Sequence, residues 1–246
     1  MKNLCSKLGL TVVLIASSLM FISCEKDNDN TDDNAVSVDK IEALNVIYSS
    51  SKIDNIKVEF FWEEDYLNSG WEAVFNTKYN KDGFTLLLPS VMDDKYLEPI
   101  LGNNDDYLED VTISDKTVRF TDFDTFLAYN EKDSLIGKIY CSASDHLGDV
   151  DNQYTMSWIY VDKDLELNGE NIDVASDENE EYPEDSHYSE YKKVFDNVKL
   201  KKGWNSFYSE FIFDADSVNK KYFHIQKMST TKPKGIDFKW YYYEYY

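Results

Sequence analysis

The densest chemistry in this chain stands in its last seven residues, Trp240-Tyr241-Tyr242-Tyr243-Glu244-Tyr245-Tyr246. Aromatic faces stack against sugar rings, while carboxylates and amides hydrogen-bond sugar hydroxyls. Trp240, Tyr241 and Tyr243 are therefore candidate ligand-binding residues, with a glycan as the candidate ligand. The same pattern has a second reading, in which Trp240 and Tyr242 fill the core while Tyr241, Tyr243 and Tyr245 cover a neighbouring strand or loop. Carboxylates are the other abundant functional group, with 47 Asp and Glu against 25 Lys and Arg. Asp162-x-Asp164-x-Glu166-x-Asn168-Gly169 has the look of a calcium loop, but counting from Asp164 puts Ala175 at the twelfth position, where a bidentate Glu is required. Leu165 and Leu167 alternate with those polar residues, as in a strand with one solvated face. Asp105, Asp106, Glu109 and Asp110 form a second acidic cluster, read as a solvated loop.

His146, His187 and His224 are far apart, and the chain lacks a Gly-rich phosphate loop, a G-x-S-x-G elbow and an H-E-x-x-H pair. No catalytic residue, metal ligand or cofactor is assigned. What positions the candidate residues is a set of β-strands, because period-two alternation dominates the chain. It is clearest at Ile56, Val58, Phe60 and Trp62, at Phe84, Leu86 and Leu88, at Tyr154, Met156, Trp158 and Tyr160, and at Ile236, Phe238, Trp240 and Tyr242. Shorter strands are expected over 44–48, 111–114, 118–120, 135–142, 194–200, 207–213 and 222–228. Only 90–101 suggests a short helix, which Pro99 would stop or kink. Abundant Tyr (19) and Phe (14) suit a pleated surface, and few Gly (9) and Pro (4) exclude collagen-like and proline-rich chains.

The expected fold is all-β, an antiparallel β-sandwich built as one large or two small domains with few short helices. A boundary at the polar stretch 129–134 divides it into a β-sandwich over 36–130 and a β domain over 131–246. Within the latter, 173–191 holds eight carboxylates and no Lys or Arg, and is expected to be a mobile acidic excursion.

Upstream of the β body, Lys2 and Lys7 precede an apolar run over 8–22, shorter than the ~20 residues of a spanning helix. Residues 1–23 have the layout of a secretory signal peptide. Residues 25–34 are polar throughout, and 24–35 make a flexible acidic tether. Loss of the two lysines with the signal takes the formal charge from −22 to −24. A chain this acidic repels phosphate, which argues against nucleic acid and anionic lipid head groups as partners. Cys5 would leave with the signal, and Cys141 is the one cysteine within the β body.

Phe21-Ile22-Ser23-Cys24 resembles the lipobox of bacterial lipoproteins, with Phe21 in place of the usual leucine. That resemblance implies cleavage before Cys24 and acylation of it; two or three chains hold stably where one binds reversibly. Residues 25–29 are similar to the export signal that sends Bacteroidota lipoproteins to the outer face of the outer membrane, although Asn28 interrupts the acidic pair. Further blocks, among them Gly83-Phe84-Thr85-Leu86-Leu87-Leu88-Pro89, Tyr160-Val161-Asp162-Lys163-Asp164 and Leu200-Lys201-Lys202-Gly203-Trp204-Asn205, resemble small surface lipoproteins of Bacteroidota that have no assigned activity. The first block is also similar to a strand of transthyretin-like, Ig-like β modules, which implies a sandwich for the N-terminal half and carries over no functional residue.

Together these readings lead to a lipid-anchored protein of the outer membrane facing the cell exterior. Its expected role is non-catalytic binding of an extracellular ligand, glycan among the candidates, or service as an accessory to a surface complex. The alternatives are a glycoside hydrolase, since two carboxylates suffice for that chemistry, and a structural or adhesive surface subunit.

Overall fold

The computed structural model describes residues 37–65, 68–81, 83–101, 110–144, 153–177, 187–216 and 219–245; Cys24, the signal and the tether lie outside them. The described chain is all-β and sandwich-like. In order it forms β1 (Lys40–Ala43), β2 (Asn55–Asp65), β3 (Asn68–Lys78), β4 (Phe84–Leu87), β5 (Glu98–Pro99), β6 (Val111–Ile113), β7 (Arg119–Phe123), β8 (Thr125–Tyr129), β9 (Leu135–Ser142), β10 (Gln153–Val161), β11 (Leu165–Asp177), β12 (His187–Leu200), β13 (Gly203–Asp216), β14 (Lys221–Ser229) and β15 (Lys239–Glu244). A large sheet runs β3-β2-β8-β9-β10-β13-β14-β12-β11-β6, with β15 on β9 and β7 bridging β10 and β5; β1 and β4 pair separately. The pairing is antiparallel except between β12 and β14, because β14 inserts beside β12 on the return from β13.

The period-two runs at 56–62, 84–88 and 154–160 coincide with β2, β4 and β10, the run at 236–242 is strand only from Lys239, and the shorter ones over 135–142, 194–200, 207–213 and 222–228 fall within β9, β12, β13 and β14. Three expectations need correction. Residues 90–101 form no helix: Asp93 caps a single 3₁₀ turn over Asp94–Tyr96, its carboxylate accepting from Lys95 N, and Pro99 then sits in the edge strand β5. Residues 44–48 form no strand either, since Asn45 and Tyr48 have positive φ (56° and 61°) and only Ile47 makes a bridge. Both flanks of the acidic stretch 173–191 are strand, paired from Asp173↔Tyr191 to Asp177↔His187, where an excursion was expected. Backbone hydrogen bonding across the ladder outweighs the like charges there.

Residues 130–134, the expected boundary, are the turn of the β8–β9 hairpin, closed by Asn130 Oδ1, which accepts from the N–H groups of Lys132 and Ser134. One apolar core draws on both sides of that turn, joining Ile41, Phe60, Phe84 and Phe126 to Trp158, Trp204 and Trp240. A second lies between β6, β10, β11, β12 and β14, around Val161, Leu165, Val198 and Leu200. Strand β10 is the wall between them. Met156, Trp158 and Tyr160 face the first core, whereas Ile159 and Val161 face the second, so period two gives burial on both sides at this end of the strand.

Past the second core, β11, β12, β14 and β13 run on as a four-stranded ribbon. Ile172, Val174 and Tyr191 are exposed there. Register brings Phe213, His224 and Tyr191 into one row across three strands. Their rings touch in turn, Tyr191 stacked on His224 at 4.6 Å and 8° and His224 tilted at 49° against Phe213 at 5.0 Å.

Candidate functional site

Strand β15 pairs with β9 from Lys239↔Ser142 to Glu244↔Gly137. Gly137 is required at that register, because a Cβ there would lie 2.3 Å from the carbonyl oxygen of Tyr243 and 2.6 Å from the Tyr242 ring. Pairing and packing separate the aromatic tail into two groups. Trp240 is 4 % exposed and stacks on Trp158 at 5.6 Å and 9°, with Phe126 and Phe84 edge-on at 5.4 and 5.8 Å. Its indole N–H is buried without a hydrogen-bond partner, a penalty accepted for ring packing. Tyr242 is also buried and donates to the carbonyl of Ile136 at 3.0 Å. Burial, followed by the charge of Glu244, pushes its hydroxyl up to about 12.

Tyr241 is 6 % exposed and stacks on Tyr140, its partner across β9, at 5.8 Å. Of the three candidate shelf residues, only Tyr243, at 50 %, reaches solvent. Trp240 and Tyr241 are thus corrected to packing residues: both faces of β15 are covered over 240–242, and an indole inside a core presents no face to a ligand. The alternative reading of the tail describes Trp240 and Tyr242.

Tyr243 is joined by residues from elsewhere in the chain. The free edge of β15 is occupied by residue 47: Ile47 N–H donates to Trp240 O at 2.8 Å, and Tyr242 N–H donates to Ile47 O at 3.0 Å. This pairing brings residues 48–51 beside residues 242–244, and the two segments line an open cleft of about 550 Å³, a size within the range of small-ligand sites. A turn closed by Ile53 N–H to Ser50 O shapes one wall, and the Tyr79 hydroxyl donates to Ser49 Oγ at 3.0 Å. Lys52 Nζ lies 3.0 Å from Glu244 Oε1, with both side chains substantially exposed. Tyr243 meets Tyr245 edge-on at 6.1 Å. Sequence reading missed Tyr48, the three serines, Lys52 and Glu244. The run Tyr-Ser-Ser-Ser is a turn signal, but nothing local joins it to residues about two hundred positions away.

The other sequence candidates stand apart from this cleft. Both oxygens of Asp162 accept from Arg119, through N at 2.9 Å and Nε at 3.1 Å, while Asp164 accepts from Lys202 N and Lys201 Nζ. Leu165 and Leu167 are buried and Glu166 is exposed, as a half-solvated strand requires. Asp105, Asp106, Glu109 and His146 lie outside the described residues. Among the described residues no three His, Cys, Asp or Glu side chains are grouped to hold a metal ion, and no helix is long and apolar enough to cross a membrane. Among the described residues one carboxyl is raised: Asp122 on β7 is pushed up to about 6 by desolvation, then by the charges of Asp124 and Glu98. Asp122 is itself exposed, and the upward direction holds because the neighbouring charges act with the desolvation.

Comparison with protein-family models, curated proteins and solved structures finds no match.

Proposed function

We propose that this chain is a lipid-anchored protein of the outer membrane, facing the cell exterior, whose β body captures an extracellular ligand without transforming it. The observation that carries the binding half is the composition of the cleft. It has exposed aromatic and hydroxyl groups but one carboxylate, Glu244, already paired with Lys52. Glycoside hydrolysis needs two carboxyl groups flanking the bond, one of them with a raised pKa. The raised carboxyl, Asp122, is on β7 and does not line the cleft. The anchoring half rests on the lipobox-like Phe21-Ile22-Ser23-Cys24 and the polar tether after it.

A second role, as accessory to a surface complex, is favoured by Trp71 and Phe61, an exposed pair 5.7 Å apart on the β2–β3 hairpin. Protease added to intact cells is expected to remove the β body. Cys24→Ser is expected to move the protein out of the membrane fraction, and neutral residues in place of 25–29 should keep the lipid but reduce exposure. Protection of the wild-type body until lysis would place it in the periplasm and overturn the surface reading; release of product from a bound glycan would overturn the non-catalytic one.

A further inference from the structure

The charge balance and backbone of the cleft say more about its ligand than its position does. A formally charged ligand gains little at this mouth, because the Lys52 ammonium and the Glu244 carboxylate stand 3.0 Å apart and cancel at a distance. A neutral ligand can use both at once, since adjacent hydroxyls donate to a carboxylate and accept from an ammonium. That arrangement of hydroxyls is the vicinal diol of a sugar ring. The C–H face of the same ring is apolar and seeks an aromatic side chain, and two stand beside the pair, Tyr243 at 50 % and Tyr48 at 67 % exposure.

Tyr48 is also held where a tyrosine does not rest by itself. Its φ of 61° lies in the left-handed region, which for a bulky non-glycine residue is an outlier. Its neighbour Ile47 is fixed by two backbone bonds to β15, so the strain is imposed by the ladder that builds the cleft. Backbone strain of this kind persists where the fold over-determines it and is concentrated at ligand sites. A glycine would satisfy the turn more easily; the chain carries a large ring there, pointing to solvent.

From these observations we infer that the cleft between residues 48–51 and 242–244 is a binding site for a neutral saccharide, with a vicinal diol bridging Lys52 and Glu244 and the sugar face against Tyr48, with Tyr243 beside it. The inference rests on the ligand-capture reading above and names its substrate class. The test uses the full acylated protein in detergent micelles on an array of immobilised neutral hexose and N-acetylhexosamine oligosaccharides, with uronic-acid oligosaccharides as charged comparators.

Binding to a subset of the neutral probes is expected, weakened at least tenfold by Tyr48→Gly while the melting temperature stays level or rises, since glycine relieves the left-handed strain. Glu244→Gln is expected to weaken it similarly, and Tyr191→Ala on the ribbon to leave it unchanged. The inference is overturned if no neutral probe binds, if the uronic-acid probes bind as tightly, or if Tyr48→Gly binds within twofold of wild type. Failure here on a protein that intact-cell protease removes would sink the saccharide class alone. Saccharide binding by a protein protected until lysis would sink surface display alone.

Discussion

Aromatic rings are used in opposite ways in the β15 region and in the ribbon of β11, β12, β14 and β13. On β15, Trp240 and Tyr242 point into a core that other strands close over, so their apolar area is removed from water by distant parts of the chain. On the ribbon, Phe213, His224 and Tyr191 stand in one row and shield one another, with Tyr191 still exposed. Tyr191 and His224, stacked face to face, cover each other's faces, which suits cross-strand support better than capture of a sugar face. Tyr48 and Tyr243 differ from both groups, being exposed beside a polar pair. Aromatic content alone therefore identifies no site. What lies over each face does.

The sharpest way to test this contrast is truncation in each region. Trp240→Ala is expected to cost about 3–5 kcal/mol in denaturant unfolding, whereas Tyr191→Ala should cost only about 0.2–1 kcal/mol, the scale of a cross-strand pair. Equal losses would break the comparison. Next in size, Gly137→Ala forces a methyl against Tyr243 O and the Tyr242 ring and is expected to cost about 1–3 kcal/mol, with loss of whatever binds the cleft.

Alkaline titration addresses the β15 side by itself. The Tyr242 hydroxyl is raised to about 12 in the folded chain, and Tyr129 likewise, by burial and then by its hydrogen bond to Glu59. A raised folded value means the native state holds the proton more tightly. Stability is then full below about pH 10, the unfolded tyrosine value, and is lost as pH rises towards 12. Unfolding followed from pH 9 to 12 should show this fall, and Tyr242→Phe should flatten it in part.

Asp122 gives the same sign at lower pH. Its folded value of about 6 lies above the unfolded carboxylate range, so its contribution is present below about pH 4 and lost as pH rises through 6. Asp122→Asn should raise the melting temperature at pH 7 and leave it nearly unchanged at pH 4; a loss of stability at pH 7 would contradict this. The smallest effect belongs to the ribbon's Lys192–Glu170 pair, partly exposed. Lys192→Ala should change stability by less than about 1 kcal/mol, and less still in high salt.

Much of the fold was legible because alternation is a local property. Ile56 to Trp62 read as a half-buried strand from seven residues alone, and β2 is there. The polar stretch 129–134 was legible as a break between strands, but it is a hairpin turn where a boundary was expected, and the weaker helical signal at 90–101 yielded to a 3₁₀ turn and an edge strand. The chain by itself also determined its acidic balance, its three cysteines and the lipobox-like segment, all of which are composition or short-range order.

Tertiary structure alone decided which aromatic rings reach water. Period two says that Trp240 and Tyr241 point to opposite faces, but not that both faces are covered; the cover comes from Phe84, Phe126 and Trp158 on one side and Tyr140 on the other. It likewise took the bonding of Ile47 to β15 to set Tyr48 beside Tyr243. Burial and juxtaposition are sums over non-local contacts, and those are settled only when the sheet has closed.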